Sequence, residues 1–124
     1  MVFKDCNLKN VTALRFIQNI REYGDRKNPD YFVCNFLEFS HKQKLARLSL
    51  RELIKLQKRP FYYYLTARTL YYDSLVLNAI RDGIQRIVIL GSGYDTRAYR
   101  YADIAYEHNA DFIESDQPHV ISKK

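Results

Sequence analysis

Several things are scarce in this chain. Among its 124 residues are two cysteines, three prolines, four glycines and no tryptophan. Two cysteines, Cys6 and Cys34, are too few for a disulfide framework. The charged start Met1-Val2-Phe3-Lys4-Asp5 opens no apolar secretory segment, so both read as free thiols in a reducing cytoplasm. No apolar run approaches the ~20 residues of a membrane span. His41, His108 and His119 lie far apart, and no pair has metal-ligand spacing, which argues against a metal site. No Ser-His-Asp or Cys-His arrangement can be argued from the sequence, so no catalytic residue is assigned.

What is present is globular in character. Hydrophobic residues make up 47% of the chain, too many for disorder, and the length allows one domain at most. Eleven tyrosines compensate for the missing tryptophan. Many fall in Phe61-Tyr62-Tyr63-Tyr64 and Tyr71-Tyr72, where amphipathic rings either line a pocket or cover a core while their hydroxyls find water. The net charge of +6 is unevenly spread. Residues 1–62 carry 13 Lys/Arg against 6 Asp/Glu, and residues 63–124 carry 7 against 8. Much of the excess lies in Lys42, Lys44, Arg47, Arg51, Lys55, Lys58 and Arg59. Leu45, Leu48, Leu53, Ile54 and Leu56 interleave with them, which predicts one amphipathic helix from Ser40 to Lys58 with a basic outer face. Such a face attracts phosphates or an acidic partner, but no nucleic-acid reader motif accompanies it, and a solvated surface is the preferred account.

Further helices are expected near Val11–Tyr23, ended by Gly24, as a short segment from Tyr31 to Phe39 after the turn Asn28-Pro29-Asp30, and from about Ala67 to Arg81. Pro60 should stop the basic helix, and Gly83 should cap the last.

The most informative stretch runs from Arg86 to Arg100. Ile87-Val88-Ile89-Leu90 is apolar at consecutive positions, which predicts a buried parallel strand. It leads into Gly91-Ser92-Gly93, where the missing Cβ atoms permit a sharp turn and close ligand approach. Asp95 or Thr96 is placed to cap the short helix that follows. About 20 residues on, Phe112-Ile113-Glu114-Ser115-Asp116 predicts a second strand ending in an acid suited to ribose hydroxyls. The dinucleotide fingerprint would need glycine where Thr96 stands, so a pyrophosphate is not provided for. S-adenosylmethionine fits this pattern and NAD fits it poorly.

Three blocks resemble one family. They are Thr66-Ala67-Arg68-Thr69-Leu70-Tyr71-Tyr72-Asp73, Val88 to Arg100, and Phe112 to Pro118. Their order and spacing resemble the S-adenosylmethionine-dependent methyltransferases related to leucine carboxyl methyltransferase and to bacterial polyketide-type O-methyltransferases. The resemblance covers the last half of the chain well and the first half loosely. It implies an α/β fold: an N-terminal helical lead-in, residues 1–62, then the first two parallel strands of a truncated Rossmann-like class I methyltransferase sheet, residues 63–124. It further implies that Arg68 pairs with the methionine carboxylate of the cofactor, that the turn Gly91-Ser92-Gly93 passes under its methionine part, and that Asp116 takes its ribose hydroxyls. A guanidinium fork suits a carboxylate, and an ionised carboxylate accepts two hydroxyls. Tyr101 to Asp111 lacks the proline-rich turn common in the bacterial branch, and Ser115 stands where an aliphatic residue is usual.

Each residue also has a structural account. Arg68 could pair with Asp73, Asp95 could serve only as a cap, and Asp116 before Gln117-Pro118 could simply open a helix. The resemblance implies O- or carboxyl-methyl transfer to a small-molecule carboxylate or hydroxyl acceptor. Because family members are much longer, the chain reads as an N-terminal fragment that is inactive without a C-terminal portion. A nucleotide- or NAD-binding Rossmann module and a small basic interaction protein stand as alternatives.

Overall fold

The computed structural model describes residues 8–124; Cys6 and the charged start lie outside them, with the expectations placed there. The order is α1 (Leu8–Arg21), two 3₁₀ turns (Gly24–Arg26 and Tyr31–Phe36), α2 (Phe39–Ala46), α3 (Leu50–Gln57) and α4 (Pro60–Arg81). Then come β1 (Arg86–Leu90), α5 (Arg97–Arg100), α6 (Ala102–Glu107), β2 (Asp111–Ser115) and α7 (Pro118–Ile121). The chain divides into two units, one ending at Leu70 and the other running from Tyr71 to Lys124.

The first unit is helical. Ala13, Leu14, Phe16 and Ile17 of α1 pack with Val33, Leu45, Leu53, Leu56, Tyr62 and Leu65. Full burial of one such aliphatic side chain contributes about 1.5–3 kcal/mol. A polar network threads this core. Asn28 Nδ2 donates to Gln18 Oε1 at 3.0 Å and to Thr69 Oγ1 at 3.3 Å, and Gln18 Nε2 donates to the Tyr62 carbonyl. The Tyr62 ring belongs to the core, and its hydroxyl donates to the buried Glu22 at 3.0 Å rather than to water. Burial, then the Glu22 carboxylate, pushes the Tyr62 phenol up from its ordinary range. Tyr64, Tyr71 and Tyr72 are exposed.

Several helix boundaries differ from expectation; α1 itself runs over Leu8–Arg21 rather than Val11–Tyr23. The single basic helix over 40–58 is two helices, because Ser49 and Glu52 form a reciprocal capping box that restarts the chain at Leu50. Glu52 takes the Ser49 amide at 2.8 Å, and the Glu52 amide reaches Ser49 Oγ at 3.3 Å. Pro60 does not stop the preceding helix, which ends at Gln57; it begins α4, seven residues before the expected Ala67. Proline suits that first turn, where its missing N–H has no intrahelical partner. The segment after Asp30 is a 3₁₀ turn that ends at Phe36.

The second unit is α/β. β1 and β2 pair in parallel, with Arg86 opposite Asp111 and Leu90 opposite Ser115. The 91–110 connection supplies the crossover that parallel strands require, and its single expected helix is divided at Tyr101 into α5 and α6. One sheet face packs well: Ile87 and Phe112 lie against Val76, Ile80, Ile104, Ala105 and Ala110.

β1 is parallel, as expected, but it is not buried. Val88 is 52% exposed, Leu90 78% and Ile113 43%, all on the opposite face. Two strands with helices packed on one side leave that face open among the described residues. Ser115 shares it, so its unusual identity costs no core contact.

Candidate functional site

The ends of β1 and β2 lie level because the register pairs Leu90 with Ser115. The ladder continues one step further, from the Ser92 amide to the Ser115 carbonyl at 3.1 Å. Gly91 and Gly93 both have positive φ, +60° and +50°, a conformation that L side chains resist. A Cβ built on Gly91 would meet no atom within 4 Å. The position is therefore glycine for its backbone conformation, and the space over it is open. Ser92 is buried, and its Oγ finds no hydrogen-bond partner among the described residues.

Asp116 follows β2 and reaches back to this turn. Its Oδ2 accepts the Gly93 amide at 2.6 Å, and its Oδ1 accepts the Gln117 amide at 2.6 Å. The Gly93 bond first, and the Gln117 bond second, hold the carboxyl below the ordinary aspartate value of 3.8. An ionised carboxylate offers about four lone-pair sites. With one backbone donor on each oxygen, both oxygens keep capacity for hydroxyl donors.

Gly91, Ser92, Gly93 and Asp116 thus come together in the second unit. Arg68 belongs to the first, on an exposed position of α4. Its neighbours show how the helix is fixed there. Thr66 Oγ1 donates to the Arg26 carbonyl at 3.1 Å, and the buried Thr69 takes the Asn28 amide and donates to the Leu65 carbonyl at 2.8 Å.

Asp95 stands one residue before the N-cap position, which is Thr96, and its Oδ1 accepts the Arg97 amide at 2.9 Å. Thr96 makes no such bond; it is buried, and its Oγ1 accepts Arg100 Nε at 2.9 Å. Sequence reasoning missed the ion cluster beside this turn. Asp73 Oδ1 accepts Arg97 Nε at 2.9 Å and Arg100 Nη2 at 2.8 Å, while its Oδ2 accepts Arg100 Nη1 at 2.8 Å. Arg97 also pairs with Asp95. Tyr101 caps the cluster: the Arg100 guanidinium lies 5.0 Å from its ring, and burial pushes its phenol up to about 12. The signal for this cluster was present only as Asp73 and Asp-Thr-Arg-Ala-Tyr-Arg in separate blocks.

Other chemistries find no comparable constellation. Among the described residues no group of three or more His, Cys, Asp or Glu side chains is placed to hold a metal ion. No helix is long and apolar enough to cross a membrane, again among the described residues.

The sequence pattern of the leucine carboxyl methyltransferase family matches residues 10–124. A curated protein of Mycobacterium avium, provisionally named an S-adenosyl-L-methionine-dependent methyltransferase, is 43% identical over 60 residues, or 48% of this chain and 18% of its own length. A protein of Mycobacterium tuberculosis with the same provisional name is 42% identical over 66 residues, covering 53% of this chain and 20% of its own. The matched stretches thus cover about a fifth of the length of these curated relatives. No solved structure matches it.

Proposed function

This chain belongs to the leucine carboxyl methyltransferase family, and from that premise we propose that it carries the cofactor-binding end of an S-adenosylmethionine-dependent methyltransferase. Residues 1–62 are the helical lead-in, and residues 63–124 begin a Rossmann-like sheet. In this reading Asp116 receives the ribose hydroxyls, Gly91-Ser92-Gly93 pass beneath the methionine portion, and Arg68 pairs with its carboxylate.

The observation that supports the reading is the 2.6 Å bond from the Gly93 amide to Asp116. It ties the turn after one parallel strand to the acid after the next, which is where nucleosides bind in open α/β sheets. The residues fit the group in three respects: open space over Gly91, an ionised acceptor at Asp116, and a buried Ser92 hydroxyl that lacks a partner among the described residues. NAD fits less well. Thr96, standing where a dinucleotide site has glycine, is buried and bonded into the helix behind the turn.

The cofactor supplies an electrophilic methyl group on a sulfonium. The contribution of these residues is to bind and orient it, which removes entropy from the reaction in advance. The acceptor is a carboxylate or hydroxyl of a small molecule. A carboxylate is already nucleophilic, so the chemistry places no demand on this chain for a strong base. Transfer itself is assigned to a protein of the relatives' length, and cofactor binding to this segment. The free thiol of Cys34 fits the cytoplasmic location expected from the sequence.

Isothermal calorimetry with S-adenosylhomocysteine and with NAD tests the reading. It expects heat with the first ligand, lost in Arg68→Ala and Asp116→Ala. Binding of NAD alone would replace this reading with a dinucleotide module. Binding of neither, with salt-sensitive binding of an acidic polymer, would leave a basic interaction protein.

A further inference from the structure

We propose that Asp73 is a positioning residue for the cofactor turn, acting through Arg97 and Arg100 to hold the Gly93 amide against Asp116. The inference rests on the reading of that turn as the cofactor site, but its test does not require the cofactor.

The argument starts from burial. Asp73 and Arg100 are almost wholly buried, and Arg97 and Asp95 largely so. Two carboxylates and two guanidiniums form a charge-balanced cluster in the second unit. Buried ion pairs are poor sources of stability, because desolvating both partners consumes most of their attraction. What such a cluster does well is fix geometry, and here the geometry is directional. Arg100 presents a two-pronged fork to Asp73, with both bonds at 2.8 Å. Arg97 adds a third bond at 2.9 Å. Both arginines stand on α5, so α4 and α5 are bolted together at one carboxylate.

From α5 the constraint passes back along the chain. The Arg97 amide and guanidinium both hold Asp95. The Asp95 amide in turn donates to the Ser92 carbonyl at 2.7 Å, closing the bend on Gly93. Arg100 Nε grips Thr96 Oγ1 as well, at 2.9 Å. Every residue from Asp95 to Arg97 is therefore tied either to the turn or to the cluster. The Gly93 amide can reach Asp116 only if that bend is held, since the glycine backbone would otherwise be the loosest part of the connection.

The test uses the whole chain, isotopically labelled for NMR. In the wild type, the Asp116 carboxyl should titrate below 3.8 and the Gly93 amide proton should follow the same midpoint. In Asp73→Asn the Asp116 midpoint should rise toward the ordinary value and the Gly93 amide should stop following it. Cross-strand contacts between Val88 and Ile113 should persist. An unchanged midpoint with the Gly93 amide still following it would overturn the proposal. Should Asp73→Asn fail to fold, Arg100→Lys decides instead. It keeps the charge but removes the fork, and it must move the Asp116 midpoint upward for the proposal to stand. A wild-type chain that shows the coupling but ignores S-adenosylhomocysteine would count against the proposed function and leave the positioning role intact.

Discussion

The Gly93 amide and the Asp116 carboxylate lie 2.6 Å apart, donor to acceptor, across the ends of two parallel strands. This contact depends on the register that sets Leu90 opposite Ser115, and on the left-handed backbone at Gly91 and Gly93. Its consequence is electrostatic. The two backbone amides aim the carboxylate and favour its ionised form, which is the preorganised acceptor that the proposed ribose hydroxyls would require.

The pH dependence of ligand binding should follow from this. A carboxyl lowered in the folded chain stabilises the fold above its unfolded value and loses that contribution as pH falls through the folded value. Asp116 should therefore stay charged, and S-adenosylhomocysteine affinity flat, from about pH 8 to about pH 5. Affinity should fall once pH drops below 3.8, the ordinary aspartate value. Calorimetry across that range checks it; a decline beginning near neutral pH would point to a different titrating group.

Gly91→Ala separates backbone strain from steric exclusion. An alanine at φ +60° costs roughly 1–2 kcal/mol in the left-handed region, while no atom of the described chain crowds its Cβ. A modest fall in melting temperature is expected. A loss of S-adenosylhomocysteine affinity of about tenfold or more should accompany it if, as proposed, the ligand occupies the open space over Gly91. Unchanged affinity would place the ligand elsewhere.

The strand, the turn and the second strand were legible because their signals are local: a consecutive apolar run, two glycines, and an acid about one crossover later. The exposure of Val88, Leu90 and Ile113 was not, since burial depends on what covers each face rather than on the strand's own residues. The break between α2 and α3 was written as Ser49-x-x-Glu52, yet the apolar and basic periodicity runs across it and conceals it. Pro60 is ambiguous in principle, because proline both ends one helix and begins another. Asp73 is separated from Arg97 by 24 residues and from Arg100 by 27. Only the folded chain brings these charges together.

The capping box gives a check on the first unit. Ser49→Ala removes the acceptor for the Glu52 amide and the side-chain member of the two Ser49 hydrogen bonds that chiefly hold the Glu52 carboxyl below its ordinary 4.5. The amides of the first turn of α3 should exchange faster, and Glu52 should titrate closer to that ordinary value. Equal exchange rates in the two proteins would mean that the restart at Leu50 rests on packing alone.

Ile80 is the largest fully buried side chain in the small core beneath the sheet, where Phe112 is only partly buried. Ile80→Ala should cost about 2–5 kcal/mol, the usual range for such a cavity. Amide protection along β1 and β2 should drop accordingly in hydrogen-exchange measurements. Full retention of that protection would show that the strands are held by something other than this core.

The most direct measurement is a titration of the labelled chain with S-adenosylhomocysteine, followed through the amides of Gly93 and Gln117, the two donors to Asp116. The expected result is that both resonances move together and saturate, and that Asp116→Asn abolishes the response. Saturable binding that leaves both amides unmoved would contradict the assignment of Asp116 and the glycine turn to the cofactor.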